Sequence, residues 1–456
     1  MTFSEIFLLV IYLIALTFAL LKCSCFKIPG AKPSLIITLW GYKILAGVFF
    51  YLIFSLYIPY SHGSDSDVYF NDGINLAKVA KESPIDYFQL LTGSYSDESK
   101  FEKYTGKLEY WNRSYPSIVP NDNRIVIRAN SMFSFISFGF YSIHLLIMAF
   151  LSFVGLFLIY KAIAKFFTNV KRMLVLAVFI IPSTVFWSAG NLKEPILFFL
   201  LGVFIYSFIQ ISTEKKWKFI PVLLISSYFL VYTKPYVLFL LLPITISFFV
   251  AELLKSKKIY WIYFSVFGVL GALIAFISTL FPEFSIAKLL TIKQLDFISM
   301  VSASHSGSTF EIPILQKTYW SLLINSPMAL INSLTRPWIW EPETWTQLVA
   351  AIENMVIIII AFLLLNRFRF HKIAHSNFAL FALLFGLQSF ILVGLITPNM
   401  GALVRYKSIG LPFLFIALLS GWSLTNSKGK VFFSKDIFKQ CRKKIGNYFW
   451  EAEQKV

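Results

Sequence analysis

Apolar residues run along this chain in long stretches separated by short charged punctuation. A membrane-spanning helix needs about 20 mostly apolar residues at ~1.5 Å rise each. Eleven stretches are candidates, near 5–22, 35–57, 134–160, 173–189, 196–212, 219–233, 236–253, 260–281, 347–366, 377–397 and 404–424. Residues 131–160 stay apolar for longer than an upright helix requires, which predicts either a tilted span or a surface helix that runs into one. The stretches 173–189 and 196–212 are short, and the polar Gly190-Asn191-Leu192-Lys193-Glu194-Pro195 between them predicts a tight hairpin. The expected fold is an all-α polytopic membrane protein of about 11 transmembrane helices. One transmembrane domain covers 1–424 with two long loops, 58–130 and 282–346, holding juxtamembrane helices, and a basic amphipathic tail follows at 425–456.

Composition agrees with this pattern and narrows it. Of 456 residues, 57% are hydrophobic and 14% charged, against roughly 45–50% and 25% in soluble domains. A soluble enzyme and a disordered chain are both excluded. The net charge of +18 would suggest nucleic acid in a soluble protein, but here it follows the membrane. Alternate loops carry 24 of the 41 Lys and Arg, against 16 in the much longer loops of the other set. By the positive-inside rule the N-terminus lies outside, the C-terminus inside, and both long loops are extracytoplasmic. The expected location is the bacterial inner membrane, with membrane lipids as partners and no nucleic acid. The first span lacks a basic leader and is expected to be retained. Cys23, Cys25 and Cys441 fall on the cytoplasmic side, so no disulfide framework is implied.

Nucleotide loops, zinc-protease motifs and nucleophile elbows are missing. His371 and His375 sit four apart in a basic loop with no acidic partner in sequence, and read as solvated. Lys43 and His144, inside the second and third spans, read as groups satisfied within the bundle. The remaining polar residues gather at the outer ends of spans. Asp65 and Asp67 follow the second span in Ser61-His62-Gly63-Ser64-Asp65-Ser66-Asp67-Val68-Tyr69. Lys193 and Glu194, Lys234, Arg336, and Arg405 with Tyr406 and Lys407 occupy later outer turns. Ionisable groups near membrane depth are costly and suggest a site. Paired acids suit a general base or a divalent cation (Mg or Mn), and convergent cations suit a phosphate or pyrophosphate.

These residues resemble a family. The edge Asp65-Ser66-Asp67-Val68-Tyr69 at the start of a long outer loop is similar to that of the polyprenyl-phosphate-sugar-dependent glycosyltransferases of the GT-C superfamily. The loop's expected juxtamembrane helices at 72–90 and 122–134, the hairpin Pro182–Ser188 with Lys193-Glu194, and Arg405-Tyr406 before Pro412 extend the resemblance over most of the chain. It implies inverting sugar transfer at the outer membrane face in envelope glycan assembly. The donor would be polyprenyl-linked and the acceptor a glycan, lipid or protein. Asp65, with Asp67 as the alternative, would deprotonate the acceptor or orient a metal, while Lys193, Lys234, Arg336 and Arg405 neutralise the departing lipid phosphate. An O-antigen or exopolysaccharide polymerase would use similar chemistry. A transporter or flippase for lipid-linked or anionic solutes instead predicts broken helices and charges near the bilayer midplane.

Overall fold

The computed structural model describes the chain except for residues 1, 24–25, 29–31, 58–63, 96–97, 113–120, 168–170, 305–307, 367–372, 374–375 and 426–456. Ser61 to Gly63, Cys25, Cys441, the pair His371 and His375, and the basic tail beyond Thr425 therefore lie outside the described residues. Among the described residues every named element is helical, and one isolated bridge joins Thr309 to Asn399.

The chain begins with α1 (Phe3–Lys22) and α2 (Pro33–Tyr51), which runs into a π-helical turn at Leu52–Tyr57. The first long loop holds α3 (Asp65–Glu82), α4 (Pro84–Thr92) and α5 (Asn123–Ser137). Then come α6 (Tyr141–Ala164), α7 (Lys171–Phe179), α8 (Pro182–Trp187) and α9 (Lys193–Glu214). The second half comprises α10 (Ile220–Thr233), α11 (Pro235–Leu254), α12 (Ile259–Leu280), α13 (Ile286–Ser304) and α14 (Tyr319–Thr335). It ends with α15 (Trp345–Leu365), α16 (Asn377–Ile396), α17 (Met400–Lys407) and α18 (Leu411–Thr425).

Eight helices are long and apolar enough to cross a membrane: α1, α2 with the start of its π-helical turn, α6, α9, α11, α12, α15 and α16. The bent pair α17 and α18, angled at 54°, makes a ninth if it forms one span. The other two expected stretches take different forms. Residues 219–233 lie in a shorter apolar helix, Trp217–Thr233. Residues 173–189 are divided into α7 and α8, because Pro182 has no N–H to donate and its ring cannot follow a preceding helical turn.

The long apolar run 131–160 divides at Phe138 and Gly139, whose φ values of +53° and +78° turn the chain out of the helix. Its first part ends the amphipathic α5, and α6 begins only at Tyr141. The run is thus two helices joined by a turn, of which α6 is long and apolar enough to cross a membrane. Loop 282–346 contains α13 and α14, and α14 packs along α16. Its Asn325, Ser326, Pro327 and Asn332 lower the hydropathy of a segment that otherwise behaves as a bundle helix.

The close crossing of α6 and α9 places the N-terminus of α9. A Cβ on Gly155 would lie 2.1 Å from the Phe198 carbonyl oxygen, and one on Gly202 2.2 Å from the Gly155 oxygen. Only glycine permits the two backbones to approach this far, as small residues do at membrane helix interfaces. Lys43 and His144 are satisfied within the bundle. Lys43 donates to the Val185 carbonyl and to Ser188. His144 bridges Ser137 Oγ (2.6 Å) and Asn130 Oδ1 (2.7 Å).

Candidate functional site

α3 starts with a capping box: the Ser64 hydroxyl accepts from the Asp67 N–H at 3.3 Å and donates to the Asp67 carboxylate at 2.8 Å. Asp67 thus fixes the helix start, which leaves Asp65, in the first turn, as the acid that reaches other parts of the chain. Its Oδ2 lies 3.1 Å from Arg405 NH1, and its Oδ1 accepts from the Tyr110 hydroxyl at 2.9 Å.

Glu194 is the centre of the cluster. It is fully buried, with Oε1 2.9 Å from Lys234 Nζ and Oε2 2.9 Å from Arg405 NH2. Lys193, beside it at the start of α9, pairs with Asp122 at 2.6 Å. The Tyr406 ring lies under Lys234, 4.2 Å from its ammonium, and Trp187 flanks the Arg405 guanidinium at 5.8 Å. Five separated segments therefore meet at one end of the bundle: the starts of α3, α5 and α9, the α10–α11 junction and α17. Asp65, Asp122 and Glu194 balance Lys193, Lys234 and Arg405 one for one. An anionic ligand must therefore displace a carboxylate from a cation. One donor is unengaged, since buried Arg405 Nε has no hydrogen-bond partner among the described residues.

Electrostatics set the state of Asp65. Burial alone would raise its pKa, but Arg405, the Tyr110 hydroxyl and Lys193 outweigh burial and hold the carboxyl below its ordinary value. Asp65 is thus an anion at neutral pH and, while Arg405 holds it, a weak base. The two acids offered as metal ligands are engaged separately, Asp65 by Arg405 and Tyr110, Asp67 by Ser64. Among the described residues no three His, Cys, Asp or Glu side chains converge on one point. This donor set does not fit a divalent cation.

Two expected residues lie apart from the cluster. Arg336 pairs with Glu341 at 3.1 Å and stacks on Phe310. Lys407, fully buried, donates to Asn354 Oδ1 (2.6 Å) and to the Arg336 carbonyl (2.7 Å), tying α17 to the end of α14. Asp72 and Asn121, which the sequence did not single out, complete the site. Asp72 accepts from the backbone N–H groups of Glu109 (3.0 Å) and Tyr110 (2.8 Å), while Asn121 donates to the Tyr110 and Trp111 carbonyls, both at 3.0 Å. The short segment that aims Tyr110 at Asp65 is thereby clamped on both sides. A buried chain runs from His144 through Asn130 to Asn191, and from there to the Ser66 carbonyl. Asp72 and Asn121 have no local signature beyond being polar residues in a mostly apolar chain. Comparisons with protein-family models, with curated proteins and with solved structures each found no match.

Proposed function

We propose that this protein is a membrane glycosyltransferase that moves a sugar from a polyprenyl-linked donor to an acceptor at the extracytoplasmic face of the bacterial inner membrane. The observation that carries the reading is Arg405, a buried guanidinium that bridges Asp65 and Glu194 and keeps one donor unengaged. Such a group can exchange the Asp65 carboxylate for a phosphate oxygen while Glu194 still holds it. In this reading the donor phosphate draws Arg405 away from Asp65, with Lys193 and Lys234 adding positive potential. Freed of its cation, Asp65 accepts the acceptor hydroxyl proton. The acceptor oxygen forms the new bond to the anomeric carbon as the bond from that carbon to the phosphate oxygen breaks, and the phosphate leaves with the electron pair. Donor binding would in this way switch on the base.

The pH dependence tests this coupling. kcat/KM reports the free protein, in which Arg405 holds the Asp65 pKa low, and kcat reports the donor complex, in which burial raises it. The acid limb of kcat should therefore lie at higher pH than that of kcat/KM. Coincident acid limbs, or the reverse order, would remove the coupling. The activity itself is tested by supplying the purified protein in nanodiscs with polyprenyl-phosphate and polyprenyl-pyrophosphate sugars and following release of the lipid phosphate. No release from any donor would reject the transferase.

Topology belongs to the same proposal, because the donor phosphate must meet the cluster from outside. The N-terminus is placed outside and the C-terminus inside. Single Cys residues at Ser94, in the loop containing α3 to α5, and at Ser256, between α11 and α12, decide it. In intact cells Ser94→Cys should react with an impermeant thiol reagent and Ser256→Cys should not. Labelling in the opposite pattern would invert the orientation.

One observation favours a second reading, a transporter for lipid-linked or anionic solutes. The two broken segments meet, with Thr184 of α8 donating to the Ser408 carbonyl between α17 and α18 at 3.0 Å, and interrupted helices are a transporter feature. Donor movement across proteoliposome membranes without release of lipid phosphate would select it.

A further inference from the structure

The clamped segment that presents Tyr110 to Asp65 has a second face. Trp111 and Asn112, the next two residues, form part of the wall of a cavity of about 250 Å³ that Tyr95, Glu98, Phe101 and Glu102 also line. Every lining residue lies between 95 and 112, within the first long loop, and none belongs to a membrane-spanning helix. Hydrogen bonds and ring contacts hold part of the wall. Asn112 donates to the Thr105 carbonyl at 2.7 Å, Arg124 donates to the Trp111 carbonyl at 3.1 Å, and Arg124 and Arg128 both stack against the nearly buried Trp111 ring. The Tyr95 ring packs on Phe101 with centroids 5.1 Å apart.

We infer that this cavity is an acceptor subsite for one uncharged sugar ring, lined by Trp111, the next residue in the chain after Tyr110, whose hydroxyl touches Asp65. The inference rests on the glycosyl-transfer reading and adds the chemistry of the acceptor. The volume lies just below the ~300–1,000 Å³ of clefts for drug-sized ligands, a size suited to a single ring. Its composition decides the ligand class. Glu98 and Glu102 offer carboxylate oxygens to hydroxyl groups, and charge-assisted hydrogen bonds of this kind are the stronger ones. Tyr95 offers an aromatic surface to the C–H face of the ring. Glu98 is compensated by Arg124 at 3.0 Å, whereas Glu102 makes no ion pair with any described residue. A phosphate or a uronic acid would meet that uncompensated carboxylate, so an anionic ligand is disfavoured. The two halves of the site therefore select opposite partners, the cation-bearing cluster taking the donor phosphate and the acidic cavity taking the neutral acceptor.

The test uses the full chain in nanodiscs on an array of neutral, N-acetylated, amino and uronic-acid oligosaccharides. Neutral sugars should be captured and uronic acids not. Glu102→Gln should weaken capture by about tenfold, the loss expected for one hydrogen bond to a charged group. Glu102 is exposed, so this variant should melt with the wild type, and Tyr95→Ala provides a second probe from the aromatic side. Asp65→Asn should stop transfer yet retain capture. No capture of neutral sugars by the wild type, or equal capture by wild type, Glu102→Gln and Tyr95→Ala, overturns the subsite. Failure of the transferase reading shows separately, as absent lipid-phosphate release alongside intact, Glu102-dependent capture.

Discussion

Glu194→Gln is expected to destabilise the protein by about 3–5 kcal/mol, the loss typical of breaking a buried ion pair from one side. Glu194 is fully buried and each of its oxygens faces a cation at 2.9 Å. Gln keeps the shape and one acceptor oxygen but removes the charge. Arg405, 14% exposed, is then left with Asp65 as its one remaining ion-pair partner, and Lys234, 3% exposed, with none among the described residues. Membrane proteins have little margin for an uncompensated internal charge, because hydrocarbon offers no water to solvate it. The expected result is a large fall in yield and melting temperature in detergent, with Glu194→Asp intermediate because its shorter stem cannot span both cations. Lys234→Met in the Glu194→Gln background should recover part of the loss, since it removes one of the stranded charges. That recovery separates a charge effect from a packing effect, because neighbouring substitutions are non-additive when they share a network. A wild-type melting temperature for Glu194→Gln would show that the cluster does not stabilise the bundle, and the charges would then be held for ligand binding alone.

Most of the apolar helices and the charged residues at their ends were legible in the sequence because each is a local signal. Runs of about 20 apolar residues are set by bilayer thickness, and Lys or Arg at a span end stands out against an apolar background. The pairing of those charges was not legible. Asp65 and Arg405 lie 340 positions apart, and nothing in either neighbourhood specifies the other; only the packing of α3, α9 and α17 brings them together. Asp122 and Tyr110 went unnoticed for a related reason: Asn121-Asp122-Asn123 and Glu109-Tyr110 look like ordinary loop residues until the fold places them against Lys193 and Asp65. Asp67 shows the reverse case. It looked equivalent to Asp65, yet its spacing three residues after Ser64 is the capping-box spacing, and that local signal fixes it as a helix-start residue. The helix breaks were partly readable, since Pro182 marks one. Gly139 at positive φ marks the turn at Phe138, and Gly410 with Pro412 marks the bend between α17 and α18.

Arg405→Lys is expected to reduce activity about ten- to a hundredfold while leaving a folded, membrane-inserted protein. The guanidinium contacts two carboxylates from two different nitrogens, NH1 to Asp65 at 3.1 Å and NH2 to Glu194 at 2.9 Å, and keeps Nε free of any described partner. A planar fork can keep Glu194 on one nitrogen while another passes from Asp65 to a phosphate, whereas an ammonium is a point charge at the end of a flexible stem. Lys at this position can neutralise Glu194 or Asp65 but cannot bridge them in the same geometry. The stability loss should be small, because Glu194 keeps Lys234 and the net charge is unchanged. Losing a hydrogen bond to a charged group amounts to about 1.5–3 kcal/mol, which is the stated range in rate or affinity. Arg405→Ala differs in kind: it leaves Asp65 held only by Tyr110 and the more distant Lys193, and Glu194 held by Lys234 alone, so activity and yield should fall together. The measurement is lipid-phosphate release at limiting donor, set beside the melting temperature of each variant. Full activity in Arg405→Lys would mean that only a positive charge is needed there. Phosphate recognition would then pass to Lys193 and Lys234, and the proposed transfer of Arg405 from Asp65 to the donor would be lost with it.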